Sequence, residues 1–169
     1  MDMPVNVRPL FVAAGWHAGR CVAVDERLPA RHPAHDVLQE MGGLYVGRTE
    51  GGGIECARSD LQLDFSDECA GDISTWSALL RRRRICVGEF HNGHGWLLLD
   101  EAGRCFGANA IDDVVDFAGR TFAAAVEGLL LGRRARPMLR REQQEARLYG
   151  ERFPRGHPAI FDYESGSGS

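Results

Sequence analysis

Apolar and polar positions along this chain switch several times between a helical and a strand-like period. Residues Arg8 to Ala14 (RPLFVAA) form a short apolar stretch ending at Gly15-Trp16, and glycine there can supply the left-handed backbone that closes a helix. A short helix with Trp16 folded back onto the core is expected. The segment CVAVDERLPARHP has little period, and Pro29 and Pro33 keep it from regular structure, so it reads as a crossing segment. From Pro33 to Met41 the apolar Val37, Leu38 and Met41 recur at helical spacing, and Gly42-Gly43 ends the run. Leu44 to Gly47, Ile54 to Ala57 and Leu61 to Phe65 read as short strands. In the last, Leu61, Leu63 and Phe65 share one face. Glu50 to Gly53 reads as a loose hairpin loop.

Ile73 to Leu80 places Ile73, Trp76, Leu79 and Leu80 on one side of an expected helix capped by Asp72, with the arginine run 81–84 at its C-terminal end. The clearest pattern follows. Ile85 to Phe90, Gly95 to Leu99 and Arg104 to Ala108 are strand-like runs forming a meander, joined by His91-Asn92-Gly93-His94 and by Asp100-Glu101-Ala102-Gly103. Asn-Gly is a strong hairpin cue because both central residues of such a turn need positive φ. Ile111 to Phe117 is acidic and reads as a turn into a last core helix, Thr121 to Leu131, stopped by Gly132. The expected fold class is α+β: a single domain with a mixed, mostly antiparallel sheet flanked by helices. Its expected extent is 1–132. Residues 133–163 then read as an arginine-rich extension with a helical stretch from Met138 to Tyr149, and 164–169 (ESGSGS) as a flexible tail or appended remnant.

Composition narrows the function. All 20 basic residues are arginine, which excludes Schiff-base catalysis and a Walker-type lysine. A net charge of −4 argues against direct nucleic-acid binding, which calls for a basic face, and suits a basic protein partner better. No apolar run approaches the length that spans a bilayer, and residues 1–10 carry no secretion signal, so a cytoplasmic location is expected. Five cysteines (Cys21, Cys56, Cys69, Cys86, Cys105) form no paired framework and read as reduced core residues.

Candidate chemistry is sparse. His91 and His94 with Cys86 or Cys105 would make a metal site only if a third ligand approached, and the cysteines sit on strand interiors. The cysteine contexts GRCV, IECA, DECA, RICV and GRCF match no nucleophile motif. Gly51-Gly52-Gly53 lacks the lysine and strand-loop-helix setting of a phosphate loop, and the arginines at 81–84 lack interleaved aromatics for a nucleic-acid platform. Acidic residues cluster at Asp60, Asp64, Asp67, Glu68 and Asp72 and again at Asp112, Asp113 and Asp116. Solvated faces and helix starts explain most such groups, while an acidic surface would steer a basic partner. With the hairpin tip His91, Asn92 and His94, these eight acids, taken as exposed, are the expected partner contacts. No catalytic residue, cofactor or metal is expected.

A series of landmarks carries a resemblance: AAGW with Arg20 at Ala13 to Arg20, LQEMGGLYV at Leu38 to Val46, LQLDF at Leu61 to Phe65, VGEF at Val87 to Phe90, LLLDEAGRCFG at Leu97 to Gly107 and AVEGLLLG at Ala125 to Gly132. In order and spacing this series resembles the third subgroup of the SUKH superfamily of bacterial immunity proteins, over about Pro9 to Gly132. The resemblance implies a mixed sheet flanked by helices, no catalytic residues, and neutralisation of a cognate polymorphic toxin, commonly a nuclease or other nucleic-acid-modifying enzyme. The matching residues read as scaffold: Gly15, Gly42, Gly43 and Gly103 at turns, Trp16 and Trp76 in the core, and Arg20 or Glu89 in a buried or half-buried ion pair. Two alternatives stay open. One is a regulatory adaptor on the same scaffold; the other is a small enzyme using His91, His94 and a nearby acid.

Overall fold

The computed structural model describes residues 3–66, 76, 84–109 and 114–163. In chain order the described elements are α1 (Arg8–Ala13), α2 (Pro33–Met41), β1 (Tyr45–Val46), β2 (Leu61–Gln62), β3 (Arg84–Phe90), β4 (Gly95–Asp100), β5 (Cys105–Asn109), β6 (Val114–Gly119), α3 (Phe122–Leu131), β7 (Arg136–Pro137), β8 (Glu145–Leu148) and β9 (Glu151–Pro154). Strands β1 to β7 form one sheet in sequence order, antiparallel at every pairing, and β8–β9 is a separate hairpin. The fold is α+β. Its long strands are central, and the sheet tapers to two-residue strands at both edges.

Alternation along the central strands sends side chains to two cores. Leu61, Leu63, Ile85, Val87, Leu97, Leu99 and Cys105 pack on one face against Phe11 of α1, Val37, Leu38 and Met41 of α2, and Phe122, Val126 and Leu130 of α3. Leu98, Phe106, Ala108 and Val115 point the other way, onto Trp76, Met138, Phe161 and Tyr163. Trp16 is buried in the first core, its indole N–H donating to Glu40 Oε1 at 3.2 Å. Most of both faces of the meander is therefore covered, and the turn of the β3–β4 hairpin is exposed.

The helix ends follow their sequence signals. His32 accepts from the Ala34 N–H at 3.1 Å and Pro33 opens α2. In place of the expected ion pair, the Arg20 guanidinium donates to the carbonyls of Glu40 and Gly42, both at 2.7 Å, capping the end of α2 where carbonyls lack helical partners. Thr121 caps α3 by accepting from the Ala124 N–H at 3.2 Å. Gly132 closes it with φ 68°. The Asp100-to-Arg104 turn is held by the Asp100 carboxylate, which accepts from the N–H groups of Ala102 (2.9 Å) and Arg104 (2.8 Å) and from the Arg104 guanidinium (2.8 Å).

Four expectations are corrected. Ile54 to Ala57 is not a strand: the N–H groups of Ile54, Glu55 and Cys56 bond to the carbonyls of Leu131 and Gly132, because the end of α3 offers unsatisfied acceptors that a lone strand cannot match. Residues 114–117 are not a turn but part of β6, whose Val115 and Phe117 alternate with Val114 and Asp116 across the sheet. Residues 138–149 are not helical. Ala146 and Leu148 bury with period two, and Tyr149-Gly150, both at positive φ (56° and 75°), make the two-residue turn of the β8–β9 hairpin. Finally, the cysteines are not uniformly core: Cys86 and Cys105 are buried and Cys56 is half-buried, but Cys21 is exposed on the irregular crossing segment.

The arginine-rich C-terminal segment closes over the sheet. β7 pairs with β6, Phe161 stacks on Phe117 with ring centroids 4.0 Å apart, and Arg104 donates to the Tyr163 hydroxyl at 3.0 Å. The expected helix Ile73 to Leu80, apart from Trp76, lies outside the described residues, as do Arg81, Arg82 and Arg83, Cys69 and the segment 164–169. Among the described residues no helix is long and apolar enough to cross a membrane.

Candidate functional site

The β3–β4 turn is held from below. His91, Asn92 and Gly93 all adopt positive φ (58°, 57° and 79°), a conformation that non-glycine residues take only with local support. Asp60 supplies it: its carboxylate accepts from the Asn92 N–H at 2.8 Å, from the Tyr45 hydroxyl at 2.9 Å and from the Thr49 hydroxyl. Burial pushes the Asp60 carboxyl up, but the bonds from Thr49, Asn92 and Tyr45 outweigh it and hold the group below its ordinary value. Ser59 Oγ lies 3.2 Å from His91 Nδ1. The turn is thus fixed, while His91, Asn92 and His94 remain exposed.

Beside this turn lies a cleft of ≈ 480 Å³. Its floor is the β5–β6 pair at Gly107 and Asp116, which sit opposite each other in register. One wall is α3, where Ala124, Ala125 and Gly128 are small enough to leave space; the facing wall is the β8–β9 hairpin at Leu148, Tyr149 and Gly150. His91, His94, Cys56 and Arg134 also line it.

Asp116 is 8% exposed. Its carboxylate lies against the Gly107 backbone, where a Cβ would come within 2.7 Å of Oδ1. Burial pushes its pKa up to about 7, only partly offset by the Gly107 N–H. Among the described residues none forms an ion pair with it. Tyr149 accepts from the Ala135 N–H at 2.8 Å, and burial pushes its hydroxyl up. Burial likewise raises the Cys56 thiol, which disfavours a thiolate. A half-neutral carboxylic acid with two histidines at the same cleft can exchange protons or bind a polar ligand. Among the described residues no three His, Cys, Asp or Glu side chains gather as a metal site requires.

Against the sequence expectations, Asp60 and Asp116 are not exposed acids. Asp60 is drawn in by the turn it supports, and Asp116 by its place on an inward-facing position of β6. The cleft gathers His91, His94 and Asp116, with Asp60 just behind the turn. Asp64 is exposed and lies elsewhere, beside a shallow recess lined by Val22, Leu38 and Gly43. Asp67, Glu68, Asp72, Asp112 and Asp113 lie outside the described residues.

Comparison with known families decides what this scaffold is. The family model described as SUKH-3 immunity protein matches residues 3–132. The chain belongs to the SUKH-3 immunity protein family. No curated protein and no solved structure gives a significant match. The SUKH-3 match takes in the sheet through β6 and all three helices described, and stops at the glycine that closes α3. The far wall of the cleft lies beyond it. Sequence reasoning missed that wall and the small-residue wall of α3. The alternation Val114 to Phe117 and the Tyr149-Gly150 dipeptide were the signals that would have found them.

Proposed function

We propose that this chain is an immunity protein that binds a cognate bacterial toxin domain in the cytoplasm of the producing cell and blocks its active site or its access to substrate. The single observation that carries this reading is the SUKH-3 match over residues 3–132. The net charge of −4 supports a toxin with a basic face, as a nuclease or other nucleic-acid-modifying enzyme has, because opposite potentials steer encounter and favour register. Such a protein serves a polymorphic toxin system in interbacterial competition and needs no catalytic residue, metal or cofactor of its own.

The fixed, exposed turn His91, Asn92 and His94 is the best-presented contact surface, with Asp64 as a second acid in reach of a partner. Asp67, Glu68, Asp72, Asp112 and Asp113 stay contacts proposed from sequence. Asp60 acts through the turn it holds, and Asp116 through the cleft. Coexpression with the toxin encoded beside this gene is the test: the pair copurifies and toxin-expressing cells survive. A chain that binds no neighbouring toxin and rescues no cell sinks the reading.

One observation favours a second reading, a small enzyme: His91 and His94 share the cleft with an acid that titrates near neutrality. Replacing both histidines by alanine separates the two. Rescue that survives the double substitution at unchanged protein level removes the enzyme, whereas loss of rescue with toxin binding intact favours it.

A further inference from the structure

The floor of the cleft holds a group that the fold leaves incompletely served. A carboxylate has about four acceptor sites, and among the described residues Asp116 receives one backbone N–H, from Gly107. It is 8% exposed, and the exposure it keeps is toward the cleft it lines. Burying a carboxylate with so little compensation is costly unless it takes up a proton or a cation or further donors reach it. Aspartate is also a poor residue for the middle of a strand. Packing does not account for its being here.

We infer that the cleft receives an arginine side chain of a protein partner, whose guanidinium pairs with the Asp116 carboxylate at its floor. The lining suits it: the small residues Ala124, Ala125 and Gly128 leave space beside the Asp116 carboxylate, which itself rests on Gly107. A guanidinium, more weakly hydrated than an ammonium, suits a half-apolar cleft better.

The surrounding charges do not oppose it. Arg134 is held by Glu151 at 2.9 Å and lies 5.4 Å over the Tyr149 ring, and its N–H bonds to Glu55 Oε2 at 2.8 Å. Its charge is therefore answered on the spot. Arg133, His91 and His94 also line the cleft but are exposed, so water screens them. Cys56 and Tyr149, both with raised pKa values, add no negative charge that would compete for the cation.

This inference rests on the reading of the chain as a protein binder, but its test needs no toxin. The full chain, labelled with nitrogen-15, is titrated with N-acetyl-arginine amide and, separately, with the uncharged isostere N-acetyl-citrulline amide. The arginine probe is expected to give saturable shifts at the amides of Gly107, Gly128 and Gly150 with a Kd on the order of millimolar, a reasonable strength for one buried ion pair. The citrulline probe is expected to bind at least about tenfold more weakly, the loss of roughly 1.4 kcal/mol. Asp116→Asn keeps the side-chain shape and removes the charge, and it should abolish the difference between the probes. Absence of saturable shifts, equal response to both probes, or an unchanged preference in Asp116→Asn would overturn the inference. Failure to neutralise a toxin while the probe still binds would count against the immunity reading alone.

Discussion

The Asp60 carboxylate accepts a hydrogen bond from the Asn92 N–H at 2.8 Å, joining the start of β2 to a turn 32 residues further along the chain. The same carboxylate answers the hydroxyls of Tyr45 and Thr49. One buried acid thus ties Tyr45, Thr49 and the exposed β3–β4 turn together. Asp60→Ala leaves those donors unanswered and is expected to cost about 2–3 kcal/mol, read as a lower urea midpoint at pH 7. Because the folded pKa lies below the unfolded value, this contribution is present above the ordinary carboxylate range and fades as the pH falls through the folded pKa. The gap between wild type and variant should therefore narrow at pH 3. An equal gap at both pH values would show that packing, not charge, is what the substitution removes.

Asp116 behaves in the opposite sense. Its folded pKa of about 7 lies above that of an unfolded aspartate, so the native state holds a proton that the unfolded state releases. Any stability associated with that proton is complete below about pH 4 and lost as the pH rises through 7. Asp116→Asn should flatten this part of the profile and raise stability at pH 8 by about 2–4 kcal/mol. Urea unfolding at pH 5 and pH 8 checks it, and a variant less stable than wild type at pH 8 would refute the sign.

The backbones of Gly53 and Gly132 approach so closely that neither tolerates a side chain. A Cβ on Gly53 would lie 2.1 Å from the Cys56 carbonyl oxygen, and one on Gly132 would lie 2.4 Å from the same atom. Gly132 also has φ 68°. Gly132→Ala combines strain with a clash and should cost about 2–4 kcal/mol, with Gly53→Ala close behind. Thermal melts of both variants test this. A fall of only a degree or two for either would mean that the loop 51–58 parts readily from the end of α3.

Phe161 covers the second face of the sheet, stacked at 4.0 Å and 7° on Phe117 and buried to 8% exposure. Phe161→Ala should cost about 3 kcal/mol and increase binding of a hydrophobic dye. Were the cost below about 1 kcal/mol, residues beyond β7 would not be part of the cooperative unit.

Much of this fold was legible from local signals. The helix Pro33–Met41 begins and ends where proline and paired glycines place it, and the three strands from Arg84 to Asn109 follow the Asn-Gly and Asp-x-x-Gly turns. What was hidden depended on partners distant in sequence. Ile54 to Ala57 has strand-like composition, yet its N–H groups find acceptors on a helix end more than 70 residues away. Asp116 looks like a surface acid because its neighbours Asp112 and Asp113 dominate the local charge; only the pairing with Gly107 turns it inward. Residues 138–149 are rich in Arg, Glu and Gln, which suit a helix, but the tight chain reversal at Tyr149-Gly150 overrides that propensity.

The taper of the sheet bears on how any partner attaches. Edge strands usually present a row of open N–H and C=O groups that another chain can extend. Here β1 and β7 offer two residues each, too short a row to seat an incoming strand. Extension of the seven-stranded sheet at these edges is thereby discouraged, with other proteins and between copies of this chain alike. At this sheet recognition falls to side chains, so a partner can be exchanged by altering surface residues while the seven-stranded frame stays as it is.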